Sequence, residues 1–439
     1  MSSTRSNRSS SLVALVDGNN FYVSCERLFD PRLETRPVIV MSNNDGMVIS
    51  RSQEVKALGI KMGAPMHHIR DVIKKHRIAT LSSNYGLYGD LSQRMMAVVG
   101  QFGPVQEIYS IDESFLDLSD MQGRDLVGHA QEIRQRVRQW VGIPTCVGIA
   151  STKTLAKLAN HVAKKRPEFE GVCDFTRMNE PDLVELLGGF AARDVWGVGR
   201  QSDARLKELG IRTARDLLLA DSAAISTRFG VVMERTISEL RGIGCQPLEA
   251  VAPDKKQILS SRSFGRATSD VEELAESVTM HVSTAAEKMR RQDSACSTLQ
   301  VFLKTNPFKP ELPQHHPTAT VRLGAPTDDS LKMVSAAVRA VRGLYRPGYK
   351  YHKTGVILID LQPKKVQQLD LFADAPALVS AGTTARERLM HTLDSVNRRS
   401  GRGTMRFASE GVDHRWRMKR EKVSPAYTTQ WEELPVARA

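Results

Sequence analysis

The sequence predicts an α+β protein of several domains, on three observations. Its 439 residues make two to four domains at roughly 100–200 residues each. Strand-type apolar runs alternate with helical periodicity in the first part of the chain, then yield to a helical stretch over 175–245. Beyond it, the order over 258–361 reads β-α-β-β-α-β, a ferredoxin-like arrangement. A hydrophobic share of 41% with 25% charged residues suits real cores and excludes wholesale disorder, collagen or a coiled-coil rod. Lys and Arg number 62 against 49 Asp and Glu, a net charge of +13. That excess favours a polyanionic partner, nucleic acid before acidic membrane.

In chain order, residues 1–11 are expected to form a flexible basic tail. The apolar run 12–16 is a short strand ending at Asp17-Gly18, too brief for a secretory signal core. Phe21 and Tyr22 stand at a helix start. Residues 37–41 are a second buried strand, and 43–85 is polar and Gly-bearing, suiting a small subdomain. Residues 107–118 read as a hairpin around Ile111-Asp112-Glu113-Ser114. The stretch 131–140 is helical, with Ile133, Val137 and Trp140 on one face. A strand at 145–149 and a helix at 152–165 follow, the latter stopped by Arg166-Pro167. Residues 251–256 are a linker. Strands are expected at 258–263, 297–304, 319–323 and 355–361, with helices at 271–291 and 331–344. Residues 363–380 form a second linker, and 384–439 alternates basic residues with aromatics without an obvious core of its own. No apolar run approaches the ~18–20 residues of a membrane span. The five cysteines (Cys25, Cys146, Cys173, Cys245, Cys296) are scattered without a CxxC, so reduced thiols in a cytoplasmic protein are expected.

Three carboxylates carry the chemistry. Asp17 ends a buried strand, and Asp112 and Glu113 are adjacent within strand-like sequence. Neighbouring carboxylates repel, so such a set is costly unless a cation neutralises it. Mg²⁺ takes oxygen ligands from carboxylates and substrate phosphates, and a pair of such ions clamps the two oxygens of an in-line phosphoryl displacement. An Asp-Glu pair alone would be a solvated turn. The strand end gives rigidity, and Gly18 allows close approach to the backbone.

Asp17-Gly-Asn-Asn-Phe-Tyr22 and Tyr109-Ser-Ile-Asp-Glu113 resemble the two catalytic motifs of the Y-family, translesion DNA polymerases. Ser42-Asn-Asn-Asp-Gly46, Lys56-Ala-Leu-Gly-Ile-Lys-Met-Gly63 and Ser82-Ser-Asn-Tyr85 resemble its UmuC branch, the catalytic subunit of bacterial DNA polymerase V. The likeness runs from about residue 12 to the C-terminus. It implies a right-hand polymerase with a ferredoxin-like palm (12–21 and 86–174), small fingers (22–85) and a helix-hairpin-helix thumb (175–245). A linker (246–256), a β-α-β-β-α-β little finger (257–362), a second linker (363–383) and a UmuC-type tail (384–439) complete it. By the same likeness, two Mg²⁺ would be held by Asp17, Asp112, Glu113 and the Gly18 carbonyl. Tyr22 would be the steric gate against a ribose 2′-hydroxyl. Phe21, Tyr22, Lys56 and Lys164 would bind the nucleotide. A tyrosine common in the family near Lys56 is replaced by Gln53, which leaves the detail of phosphate gripping open.

Residue geometry adds to this. On the helix at 152–165, Lys153, Lys157 and Lys164 share a narrow sector, opposite Leu155, Leu158, Ala159 and Val162. Gly197 and Gly199 in Trp196-Gly-Val-Gly199 would expose backbone amides at a helix start, a natural phosphate site. By the likeness of 258–361 to the family's little finger, Arg262, Arg266, Arg322 and Lys353 would lie along the DNA backbone. Gln368, Leu369, Asp370, Leu371 and Phe372 resemble the pentapeptide that binds the bacterial sliding β-clamp. The terminal region resembles the UmuC-specific tail, and that likeness implies binding to a processed UmuD-type dimer and activation by a RecA filament. His67-His68 and His315-His316 lack ligand company and read as surface or partly packed residues. The activity implied is error-prone translesion synthesis in the SOS response. A palm-fold nucleotidyl cyclase would use similar acids but would not explain the thumb, little-finger and clamp signals. A catalytically silent DNA-binding scaffold would not need the acid triplet.

Overall fold

The structure, a computed structural model, describes residues 11–364 and 385–436. Its strands are β1 (Val13–Gly18), β2 (Val38–Met41), β3 (Val48–Arg51), β4 (Ala79–Ser82), β5 (Gln106–Ile108) and β6 (Glu113–Asp117). They continue with β7 (Thr145–Ala150), β8 (Val172–Asp174), β9 (Ile258–Thr268), β10 (Ser294–Thr305), β11 (Thr318–Thr327) and β12 (Tyr351–Pro363). The chain divides into two compact units. One holds the residues up to Ser42, Met47–Ala252 and the residues from Lys422 on; the other holds Asn43–Gly46 and Pro253–Glu421.

In the first unit a five-stranded sheet runs β5-β6-β1-β7-β8, with β1 antiparallel to both β6 and β7. The alternation of β1 builds two cores. Ala14 and Val16 face one side, with the helices Tyr85–Val99 and Leu126–Val141; Val13 and Leu15 face the other, with the helix Lys153–Lys165. Five helices between Glu180 and Leu240 extend that second core through Leu187, Leu206, Leu217, Ile225 and Ile237. A smaller sheet, β3-β2-β4, closes over Ile39, Met41, Val48 and Val55.

The second unit has the expected β-α-β-β-α-β order but not a ferredoxin-like pairing. Its sheet runs β11-β10-β12-β9, antiparallel throughout, with the first strand at an edge rather than inside. Element order does not determine which edges meet. The strands are also longer than their apolar runs, because one face of the sheet carries polar residues. Two further expectations change. Trp140 is 60% exposed, and Ala130, Ile133, Val137 and Val141 form the buried stripe instead; Trp140 lies at the edge of that stripe, under the Arg136 guanidinium. The terminal stretch does join a core: Trp416, 2% exposed, packs among the apolar residues of the second unit. Cys25, Cys146, Cys173 and Cys296 are buried free thiols and Cys245 is half-buried. Among the described residues no helix is long and apolar enough to cross a membrane.

Candidate active site

The β1–β6 register places Asp17 directly opposite Glu113. Directly opposed residues of an antiparallel pair have Cα atoms about 4.5–5.5 Å apart, with side chains on the same face. Asp112 is held beside them, since its carbonyl accepts from Gly18 N at 2.8 Å. Ser110 shapes the turn: its Oγ donates to Asp112 Oδ1 at 2.7 Å and accepts from the amides of Asp112 (3.2 Å) and Glu113 (3.1 Å). The three acids named from the sequence therefore converge. Gly18 is required by contact: a Cβ there would lie 2.9 Å from Phe21 Cδ2.

Asp17 shares the side of β1 that faces the helix Lys153–Lys165. That helix starts at Thr152, whose Oγ1 accepts from Leu155 N. Its lysine sector is not a solvated face. Lys153, 4% exposed, pairs with Glu107 and donates to Pro247 O at 2.8 Å. Lys157 reaches both Glu113 carboxylate oxygens at 2.9 Å, and Lys164 pairs with Asp17. Burial pushes the Asp17 carboxyl up to about 6; Lys164 pulls it down without cancelling that effect, and Glu113 and Asp112 raise it further. Among the described residues no three acidic, histidine or cysteine side chains form a ready metal cage. The donor set nevertheless suits a hard divalent cation: three carboxylates at one sheet end, two already matched by ammonium groups standing where cationic charge is demanded.

Gly148 allows this helix to lie so close. A Cβ there would be 2.1 Å from Asn160 N and 2.3 Å from Ala156 O. Asn160 completes the contact, donating to Cys146 O at 2.8 Å and Leu15 O at 3.3 Å.

Tyr22 opens the helix Phe21–Phe29 and stacks on Tyr88, centroids 4.5 Å apart at 19°; Tyr85 meets it edge-on. Phe21 is buried. Lys56 is exposed on the short helix Gln53–Ala57. Although the residue as a whole is exposed, partial burial of its ammonium end lowers its pKa, as do the neighbouring cations Arg51 and Lys164, while Asp17 acts the other way. Arg51, which the sequence reading missed, thus joins the cationic group beside the acids. Its Nε is buried with no hydrogen-bond partner among the described residues. Nothing local distinguishes an arginine at a strand end. Trp196 does more than form a turn: its Nε1 donates to Tyr109 OH at 3.2 Å and Lys157 lies over its ring.

Gly197 (φ +91) and Gly199 are exposed, and Gly199 precedes the helix Arg200–Glu208 with no side-chain cap. The four basic residues chosen on the 258–361 unit are not brought together. Arg322 and Lys353 share the face opposite the helices: Arg322 pairs with Thr298, and Lys353 with Lys304 and Ser263. Arg262 pairs with Thr354, which bonds Ser277 of the helix Val271–Arg291, so it takes the helix-side face. Arg266 has the same parity and pairs with Glu273 of that helix. Lys304 completes the open basic face. His67 and His68 are exposed, and His315 Nδ1 lies 2.8 Å from Tyr351 OH. The peptide 368–372 lies outside the described residues.

Residues 16–161 match the impB/mucB/samB family and 255–371 match its C-terminal domain. Residues 387–437 match a domain of unknown function. The chain is 42% identical to protein ImpB of Salmonella typhimurium, over 97% of this chain and 100% of that one. It is 43% identical to protein UmuC of Salmonella typhimurium strain LT2, over 96% and 99%. It is 28% identical to DNA polymerase IV of Desulfatibacillum aliphaticivorans, over 92% and 97%. Among solved structures, a Y-family DNA polymerase chimera of Dbh and Dpo4 matches with a TM-score of 0.62 at 20% identity, over 80% of this chain and 99% of that one. An insertion ternary complex of Dbh DNA polymerase matches at 0.54 and 18%, with the same coverage. The motifs, the paired acids and the near full-length identity converge, and the chain belongs to the impB/mucB/samB family, the UmuC-type branch of the Y-family DNA polymerases.

Proposed function

We propose that the protein copies damaged template by two-metal nucleotidyl transfer from dNTPs to a primer 3′-hydroxyl, acting in the SOS DNA-damage response in the cytoplasm. That it is a DNA-directed DNA polymerase of the translesion class follows from its family. The observation that carries the mechanism is Asp17 set opposite Glu113, with Asp112 tied beside them. Divalent-metal dependence is general among Y-family polymerases. Here Asp17, Asp112, Glu113 and the Gly18 carbonyl would hold two Mg²⁺, which when bound would lower the pKa of the primer hydroxyl and stabilise departing pyrophosphate.

On this reading the five-stranded sheet is the palm, β3-β2-β4 belongs to the fingers, the helices of 175–245 are the thumb and β9–β12 form the little finger. The chain's own residues position the reactants. Lys164, released from Asp17, grips the triphosphate with Lys56 and Arg51. Phe21 and Tyr22 close on the sugar, and the Tyr22 ring excludes a 2′-hydroxyl. Catalysis is then positioning plus electrostatic stabilisation of the transferring phosphoryl group. A primed template is the natural polyanion for the +13 charge, and a solved neighbour was captured as an insertion ternary complex. The amides at Gly197 and Gly199 and the open face with Arg322, Lys353 and Lys304 would follow its backbone. Arg262 and Arg266 would touch DNA only past the sheet edge.

The test is extension of a primed template with four dNTPs and Mg²⁺, with the partner proteins supplied. Asp112→Ala should abolish it; extension that persists would remove the acid cluster from the chemistry, and a cyclic product would point to a cyclase. A UmuD-type dimer, a RecA filament and the sliding β-clamp are the partners expected from the family likeness. Deleting Leu371 and Phe372 should abolish clamp stimulation while sparing basal synthesis, because tethering acts through effective concentration. Stimulation that survives the deletion would reject the peptide.

A further inference from the structure

The segment from Lys422 to Tyr427 lies in the first unit and is held there by an unusually complete set of contacts. Val423 bridges Ser82 in parallel, extending the β3-β2-β4 sheet at its β4 edge. Ser82 N donates to Lys422 O at 2.9 Å, and Lys422 N donates to Ser82 Oγ at 3.0 Å. Asn84 Nδ2 donates to Ser424 O (3.1 Å), Ser424 Oγ (3.0 Å) and Pro425 O (3.2 Å). Asn84 also caps the helix Tyr85–Val99, its Oδ1 accepting from Leu87 N.

From Ser424 the contacts continue inward. Its Oγ donates to Glu26 Oε1 at 3.1 Å, the same oxygen that accepts from Tyr88 OH at 2.5 Å. Glu26 is only 2% exposed, and no cation pairs with it among the described residues. A carboxylate so placed depends on its hydrogen-bond donors. Tyr88 in turn carries the Tyr22 ring on its face. Glu26 lies one helical turn after Tyr22 on the helix Phe21–Phe29, and Phe29 at its end stacks on Tyr427, 4.7 Å between centroids at 12°. The C-terminal segment thus grips both the helix that bears Tyr22 and the helix against which Tyr22 stacks.

We infer that Ser424 and Tyr427 are positioning residues for the Tyr22 ring, so that the C-terminal segment sets how strictly the enzyme selects deoxyribonucleotides over ribonucleotides. The inference rests on the reading of Tyr22 as the sugar gate. A ring held on one side by Tyr88 excludes a 2′-hydroxyl only while Tyr88 stays in place, and the Glu26 oxygen shared with Ser424 is what holds the Tyr88 hydroxyl. Release of the segment lets both helices shift and loosens the gate. This gives the domain of unknown function at 387–437 a part in substrate choice.

The experiment compares kcat/KM for a dNTP and the matching rNTP in the full chain, for the parent, Tyr22→Ala, Ser424→Ala, Ser424→Thr, Tyr427→Ala and Tyr22→Ala/Ser424→Ala. Ser424→Ala and Tyr427→Ala should each lower the dNTP:rNTP preference about tenfold. Ser424→Thr, which keeps the hydroxyl, should restore it. The double variant should discriminate no worse than Tyr22→Ala alone, because the segment acts only through that ring. If Tyr22→Ala loses discrimination but Ser424→Ala and Tyr427→Ala keep it, the inference falls and the gate assignment stands. If Tyr22→Ala itself keeps discrimination, the gate assignment falls and takes the inference with it. If the loss in Ser424→Ala adds in full to that of Tyr22→Ala, the segment acts by another route and the inference is overturned. Should Tyr427→Ala fail to fold, the hydroxyl variants at Ser424 decide the question alone.

Discussion

Asp17→Asn is expected to extend a primed template roughly a thousandfold more slowly than the parent chain, about 4 kcal/mol of lost transition-state stabilisation, while binding the same DNA as tightly. The substitution keeps the shape of the side chain and removes only its charge. Asp17 is 8% exposed, it stands opposite Glu113, and Lys164 is its present counter-charge. An amide in that place cannot demand a cation, so a divalent ion held there would lose a buried ligand and Lys164 would lose its present partner. Single-turnover extension at saturating dNTP separates this from a binding defect. A fall of less than tenfold would place Asp17 outside the chemistry. DNA affinity lost in parallel would mean that the substitution had disturbed the fold instead.

Gly148→Ala is expected to destabilise the protein by about 3 kcal/mol or more, the upper range for overpacking a core. The added methyl would meet the backbone of the helix Lys153–Lys165 at 2.1 and 2.3 Å, and neither strand nor helix can yield at that point without breaking the Asn160 bonds to Leu15 and Cys146. The helix must lift from the sheet. It carries Lys153, Lys157 and Lys164 away from Glu107, Glu113 and Asp17, so stability and extension should fall together. Gly89→Ala is the control. Gly89 is exposed within the helix Tyr85–Val99 with nothing within 4 Å of a new Cβ, so the same change should be neutral or stabilise by about 0.4–1 kcal/mol. Thermal unfolding of the two variants measures the contrast directly. Equal melting temperatures would refute the packing argument.

What the sequence made legible was the chemistry that repeats at short range. Asp17 after an apolar run, the adjacent Asp112-Glu113 and the lysine sector of the helix Lys153–Lys165 were all readable from spacing. That those lysines close onto those same acids was not, because the pairs bridge 46, 44 and 147 positions of chain and no periodicity encodes a partner so distant. Arg51 was invisible for a similar reason: its significance comes from the neighbours that folding supplies. The two faces of the second sheet, by contrast, are legible in the strand alternation. Ile258, Ser260, Phe264 and Thr268 are buried at even positions of β9, and Arg262 and Arg266 share their parity, so strand alternation alone sets these arginines apart from Arg322 and Lys353. Ser82-Ser-Asn-Tyr85 could be recognised only as a likeness. Its physical purpose, holding Ser424 from 340 residues away, lies in a contact that local pattern does not carry.

The polypeptide leaves the first unit between Ala252 and Pro253 and re-enters it between Glu421 and Lys422. A module appended to the end of a chain is lost to one nick by a protease. Here a cut within 246–256 would still leave the halves associated through the docked residues after Lys422, and the fragments should co-elute until that short segment is prised from Ser82 and Asn84.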